Sequence, residues 1–323
     1  SIEEIAKALE NPPFPPIPSE APPGYKEIRS YSLAQGKAGF ALLYAYAGEA
    51  WGTLRFKELA IQNLYDAGES LAQLPMGPSF YGGFSGVAWA AEHLRKRFPS
   101  DEDAEDPNEE IDKVLQDYLG RDSWQEHFDL VSGLVGLGVY ALERLPRPAA
   151  KTNLRSILRH LRGMASLQPQ GLAWLTGPDL LFYKRKKDFP QGNYDLGIAH
   201  GSAGIVAFLA SVHGADFEDF ELESLLREST RWLLGQRQPA GTGFNFPSFV
   251  APEVKPIPSR LAWCYGDPGV AMALFQAARA ARREDWERVA VDVIHESIAR
   301  PRELAGVTDA QLCHGAAGLA HIY

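Results

Sequence analysis

Cysteine is almost missing from this chain, with two residues in 323. Two thiols cannot build a disulfide framework, so a reducing, intracellular compartment is expected. Excess positive charge is missing as well. Lys+Arg 32 against Asp+Glu 41 leaves a net charge of −9, a poor match for phosphate backbones that argues against nucleic acid as a partner. The opening Ser-Ile-Glu-Glu holds neither a basic n-region nor an apolar h-region, and no signal peptide is expected. Long apolar runs are scarce. One stretch, Leu196–Ala215, runs 20 residues without a formal charge, but it contains His200, Ser202, Ser211, His213 and four glycines. A buried helix behind a polar loop is expected there, not a membrane span. Alternating strand patterns are scarce too. What remains is ordinary for a globular protein, 45% hydrophobic and 23% charged, which excludes a disordered or collagen-like chain. A soluble, cytoplasmic protein is expected.

What is present is a repeat. A Gly-x-x-Gly pair recurs before an apolar run at Gly36/Gly39, Gly83/Gly86, Gly133/Gly136, Gly201/Gly204, Gly266/Gly269 and Gly315/Gly318, with first glycines 47, 50, 68, 65 and 49 residues apart. The runs after each pair are apolar nearly all round, as helices buried on every side are. Between them lie amphipathic stretches, Leu54–Leu74, Asn153–Met164, Phe220–Leu234 and Glu284–Ile298. Each repeat therefore reads as an outer amphipathic helix, a loop, a glycine turn and an inner apolar helix, the unit of an open helical solenoid or a closed helical ring. Six copies favour an architectural role for the glycines over a phosphate cradle at a helix N-terminus. One all-α domain over residues 1–323 is expected, with a proline-rich extended arm around 11–24. The acidic run Asp101–Glu110 is expected to be a solvated loop. The basic run Lys184-Arg185-Lys186-Lys187 reads as loop as well, and is the candidate surface for steering an acidic part of a peptide.

The turns carry the chemistry. They read Phe-Asp129-Leu-Val-Ser-Gly, Ile-Ala-His200-Gly, Trp-Cys264-Tyr-Gly and Leu-Cys313-His314-Gly. Both cysteines and two of the eight histidines stand at equivalent turn positions of different repeats. If the turns converge, Cys264, Cys313 and His314 meet although 49 residues separate the cysteines. Two thiolates and an imidazole suit Zn2+, and three protein ligands leave the fourth tetrahedral position open, as in catalytic sites. Buried free thiols or one disulfide are the competing readings. An open zinc site could activate water or an incoming thiol. Two thiolate ligands make the metal electron-rich, which favours a nucleophilic bound thiolate over hydroxide formation.

The set His200-Gly, Trp263-Cys264-Tyr265-Gly266 and Cys313-His314-Gly315, in this order on Gly-x-x-Gly turns, resembles the lanthionine synthetase C-like (LanC-like) cyclase family, from about Tyr31 to Tyr323. The resemblance implies an α/α toroid of seven helical hairpins around a zinc ion. Six turns are visible here, and the last repeat is expected to be incomplete. It also implies an enzyme of lanthipeptide antibiotic biosynthesis, which adds a cysteine thiol of a dehydrated precursor peptide to dehydroalanine or dehydrobutyrine. A dehydratase, separate or fused, is the implied partner. Carried over by motif, Cys264, Cys313 and His314 match the zinc ligands, and His200 matches the acid–base group toward the enolate. Asp129 matches an acidic site residue, and Arg260 and Tyr265 match pocket residues, Arg260 facing the developing enolate charge. Each has a plainer reading. His200 could be structural, Asp129 could cap its own helix, Tyr265 could pack, and Arg260 could pair with Asp267. The alternative function is a LanC-like protein that binds glutathione or adds it to dehydrated residues.

Overall fold

The computed structural model describes residues 4–5, 8–9, 21, 24–99, 105–181, 183–215, 217–252 and 254–323. Apart from Ala21 and Gly24, the proline-rich arm lies outside them. The helices are α1 Tyr25–Tyr31, α2 Lys37–Trp51, α3 Leu54–Gln73, α4 Phe84–Arg97, α5 Glu109–Leu119, α6 Leu134–Glu143 and α7 Pro148–Met164. After the paired strands β1 Ser166–Gln168 and β2 Gly171–Ala173 come α8 Tyr183–Asp188, strand β3 Tyr194–Asp195, α9 Ser202–Gly214, α10 Leu222–Leu234 and strand β4 Phe249–Val250. The last helices are α11 Asp267–Ala281, α12 Glu284–Ile298, α13 Arg302–Ala305 and α14 Ala316–Ile322. The amphipathic stretches read from sequence are thus α3, the second half of α7, α10 and α12. Among the described residues no helix is long and apolar enough to cross a membrane. The uncharged run at 196–215 supplies instead the 13-residue helix α9, of which Ile205, Val206, Phe208, Leu209 and Val212 are buried.

Each glycine pair starts a helix for a steric reason. The turn before it is so tight that a Cβ on Gly39, Gly86, Gly204, Gly269 or Gly318 would fall on a carbonyl oxygen six residues back, that of Leu33, Phe80, Ile198, Trp263 or Leu312. Gly266 adds a φ of 96°, which L side chains rarely adopt. The turn amides that could cradle an anion are already used. Gly36, Gly83, Gly133, Gly201 and Gly315 each donate N–H to the carbonyl four residues back. The glycines are architecture, as the repeat count implied.

The chain divides into two compact units, 1–119 with 139–153, and 120–138 with 154–323. In the first, α2 and α3 form a hairpin around Ala41, Tyr44, Phe56 and Ala60. This unit buries one large ionic cluster. Arg144 is fully buried and donates to Glu92 at 2.9 Å, to Asp112 at 2.6 Å and to Asp106 at 2.5 Å. The acidic run is therefore no plain solvated loop. Its described part supplies Asp106 to this cluster, and its last residues open α5. A buried ion cluster is strongly destabilised when one partner goes, because the others are left uncompensated. Arg144→Ala is expected to lower the unfolding free energy by about 3–5 kcal/mol, read by chemical denaturation. A loss below about 1 kcal/mol would show that water screens the carboxylates.

In the second unit, α11 and α12 form a hairpin, and α9 packs on α10 and α11. α10 buries Leu222, Leu225, Leu226, Ser229 and Leu233 at helical spacing, which explains its one-sided pattern. Two small two-stranded sheets, β1–β2 and β3–β4, interrupt the helices. The basic run lies on the short helix α8, not in a loop.

Candidate metal and acid–base site

A backbone relay brings the turns of the second unit together. Leu130 N–H donates to the Ala199 carbonyl at 3.2 Å, Ala199 N–H to that of Cys264 at 3.4 Å, and Cys264 N–H to that of Cys313 at 3.2 Å. Each donor stands two or three residues before a first glycine, so one turn hands its amide to the next. Ala199, Ala262 and Cys264 are buried together, with Val131, Trp263, Tyr265 and Cys313 packed on them.

The relay places Cys264, Cys313 and His314 so that one ligand atom of each lies within 4.8 Å of the others. Both cysteines are free, which excludes the disulfide. Tetrahedral zinc, with bonds of about 2.3 Å to sulfur and about 2.0 Å to nitrogen, wants donors about 3.5–3.8 Å apart. The trio lies within about 1 Å of that spacing, and two sulfurs with one imidazole are a donor set that fits the ion. The Cys313 thiol hydrogen-bonds to Cys264 and lowers its thiol to about 6, with the charges of Arg260 and His314 assisting against burial. Asp309 Oδ2 lies 3.2 Å from His314 Nε2, a carboxylate beside the ring of the kind that commonly accompanies metal-binding histidines.

Beside this trio lies a cavity of about 160 Å3, lined among others by His127, Asp129, Arg185, Asn193, Asp195, His200 and Tyr265. That volume admits a group the size of benzene. Asp129, 5% exposed, uses both carboxylate oxygens. Oδ1 accepts the Ser132 N–H at 2.6 Å and fastens its own turn, and Oδ2 lies 2.6 Å from His200 Nδ1. An ionised carboxylate only accepts, so Nδ1 carries the proton and Nε2 remains for chemistry. Burial pulls the His200 pKa down, but the Asp129 hydrogen bond and charge, joined by the charge of Asp195, outweigh it and hold it above the ordinary value. Asp129 thus caps its turn and also orients His200.

Tyr265 joins the two halves of the site. It follows Cys264 in the chain, its ring stacks against His200 with centroids 6.2 Å apart, and its hydroxyl donates to Asp195 Oδ2 at 2.8 Å. Arg260 is exposed and does not line the cavity; its charge acts on the two thiols. It does not pair with Asp267, which accepts from Arg300 at 2.5 Å and from the Asn245 and Phe246 amides. The cation on the cavity wall is Arg185, held over the Phe249 ring at 4.2 Å. Its neighbour Lys186 reaches Asp179 at 3.8 Å.

Asp195 was missed by the sequence reading. It is 4% exposed, and burial pushes its carboxyl up to about 6, against the Gly197 N–H and the Tyr265 hydroxyl that favour the anion. A signal for it exists. The residues six before the first glycines of the last four turns are His127, Asp195, Arg260 and Asp309, all ionisable and all at this site. A carboxyl whose folded pKa is raised adds stability that is complete below the unfolded value near 4 and is lost as pH rises through about 6. Asp195→Asn is therefore expected to match the parent near pH 4 and exceed it at pH 8 by on the order of 2–3 kcal/mol. Thermal unfolding at the two pH values reads the difference, and equal shifts at both would refute it.

The fold and this site define a class of protein. A family model described as Lanthionine synthetase C-like protein matches residues 27–323, and the chain belongs to that family. The solved structure of nisin cyclase superposes with a TM-score of 0.80 at 18% identity, covering 99% of this chain and 80% of that one. The fold is thus the LanC-like α/α toroid. Nisin biosynthesis protein NisC of Lactococcus lactis subsp. lactis is 22% identical over 274 residues, 76% of this chain. The aligned part spans 61% of that relative's length.

Proposed function

We propose that this chain is a zinc-dependent lanthipeptide cyclase. Its LanC-like domain, 1–323, would act in the cytoplasm on a precursor peptide that a separate or fused dehydratase has dehydrated. The observation that carries this reading is the adjacency of two parts across Tyr265: a Cys-Cys-His donor set, and a cavity holding the Asp129–His200 pair. Membership of the family and likeness to nisin cyclase support it.

Cys264, Cys313 and His314 would hold one zinc ion, which when bound lowers the pKa of an incoming thiol so that it reacts as a thiolate. Sulfur of the peptide cysteine then bonds to the β-carbon of dehydroalanine or dehydrobutyrine. The π pair of the C=C bond moves onto the α-carbon and carbonyl as an enolate, and one proton must reach the α-carbon. His200 is the proton donor. Asp129 holds its Nδ1–H and stabilises the imidazolium, so that the second proton, on Nε2, is the one given up. Asp195 fixes the Tyr265 hydroxyl and with it the ring that stacks on His200. Arg260, outside the cavity, favours anionic sulfur at the thiol pair. A synthetic peptide carrying one dehydroalanine and one cysteine tests the reading. With zinc-loaded protein the free thiol should disappear at constant mass; a thiol still free to alkylation refutes it.

A further inference from the structure

One buried side chain at the cavity has no partner. Asn193 is 1% exposed, and neither its amide nitrogen nor its amide oxygen has a hydrogen-bond partner among the described residues. The backbone around it is pinned. Its N–H and carbonyl both pair with Thr176, at 3.1 and 2.9 Å, and Gly192 before it turns at a φ of 85°. The residue is thus held rigidly on the wall it shares with His200, Asp195 and Arg185. An unsatisfied buried amide is costly and uncommon in a native fold, and this one borders a space that admits a small group.

We propose that Asn193 is the recognition group for the dehydro residue of the substrate, pairing its side-chain amide with that residue's backbone N–H and carbonyl. The proposal rests on the cyclase reading for the identity of the substrate. The chemistry matches in kind. A primary amide offers a donor and an acceptor in one plane, and the sp2 α-carbon of a dehydro residue favours a flat arrangement of its own N–H and C=O. An alanine in its place has a tetrahedral α-carbon and takes that flat arrangement only when fully extended, with no conjugation to hold it there. The carbonyl so held is the one that gains charge when the thiolate adds, and Arg185 supplies a cation on the same wall. The subsite therefore selects by backbone, leaving the neighbouring peptide sequence free.

The test uses a synthetic peptide with one dehydroalanine and with serine in place of cysteine, so that it binds without reacting. Calorimetry on the zinc-loaded parent and on Asn193→Leu reads its affinity, and thermal unfolding of both reads stability. Asn193→Leu is expected to weaken binding about tenfold, as loss of two neutral hydrogen bonds does, with no drop in Tm because the amide has no partner in the free protein. Asn193→Ala, which empties the position without filling it, should weaken binding similarly. Unchanged affinity in both variants overturns the proposal and marks Asn193 as structural, all the more if Tm falls. The two readings fail separately. If the parent binds this peptide and loses affinity on substitution, yet leaves the cysteine-containing version uncyclised, the cyclase reading falls and amide recognition stands. A parent that does not bind the peptide overturns the amide proposal, while the cyclase reading is judged on the cysteine-containing version alone.

Discussion

Cys264→Ala is expected to strip the protein of most of its zinc and to reduce thioether formation to the uncatalysed rate. Among the described residues only Cys264, Cys313 and His314 are within reach of one another as donors, and an open site with three ligands has no spare. Removing a supporting residue around a metal typically costs 10–100-fold in affinity, and removing a ligand should cost more. The fold should survive. Cys264 stands before α11, whose start is set by Gly266 and whose buried face of Val270, Ala271, Leu274, Ala277 and Ala278 is untouched. The Cys264 carbonyl, which receives the Ala199 amide, also remains. Elemental analysis beside far-ultraviolet circular dichroism separates the two effects. Full zinc with retained helicity would remove Cys264 from the ligand set, and loss of helicity would make the metal structural.

His200→Ala should do the reverse, keeping zinc and losing the proton donor. General acid groups typically contribute about 10²–10⁴-fold, and turnover is expected to fall within that range. The substitution also leaves Asp129 Oδ2 buried without its partner, so a loss of about 1–3 kcal/mol in stability should accompany it. Gln in place of His200 can still donate to Asp129 but cannot deliver a proton at neutral pH. His200→Gln should recover part of the stability and none of the turnover. Recovery of both would show that His200 only ties two turns together.

The pattern of what could be read in advance follows from where periodicity reaches. The helix starts were legible because a turn too tight for a Cβ admits only glycine, and the same constraint returns at every repeat. The Cys-Cys-His cluster was legible, and Asp129 and His200 were each singled out, because the turns stand in register, which the backbone relay enforces. Asp195, Asn193 and Arg185 were not. Asn193 and Arg185 lie just before strand β3 and on α8, in segments that no other repeat copies, and Asp195 on β3 could be read only from its place six before a first glycine. Arg185 sat inside a run of four cations, a pattern that usually means a solvated face, and only the Phe249 ring shows that it turns inward. Asp106 was hidden in the acidic run for the same reason, since charge runs carry no hint of a buried Arg144 more than thirty residues away. The signal that was present but unused is the position six before each first glycine. The carbonyls there close the tight turns at Gly133, Gly201 and Gly266, and the side chains of His127 and Asp195 line the cavity.

Spontaneous addition of a thiol to dehydroalanine delivers the α-proton from either face, whereas a fixed His200 delivers it from one. The most direct measurement is therefore the configuration of the new α-carbon. A dehydrated peptide is incubated with zinc-loaded protein in the presence of glutathione, its intact mass is read for added glutathione, and it is then hydrolysed and its thioether amino acids are separated by chiral gas chromatography. A single diastereomer of intramolecular lanthionine is expected from the parent, and a slow mixture from His200→Ala. A mixture from the parent, or glutathione joined to the dehydro residues while the peptide's own cysteine stays free, would contradict the cyclase reading.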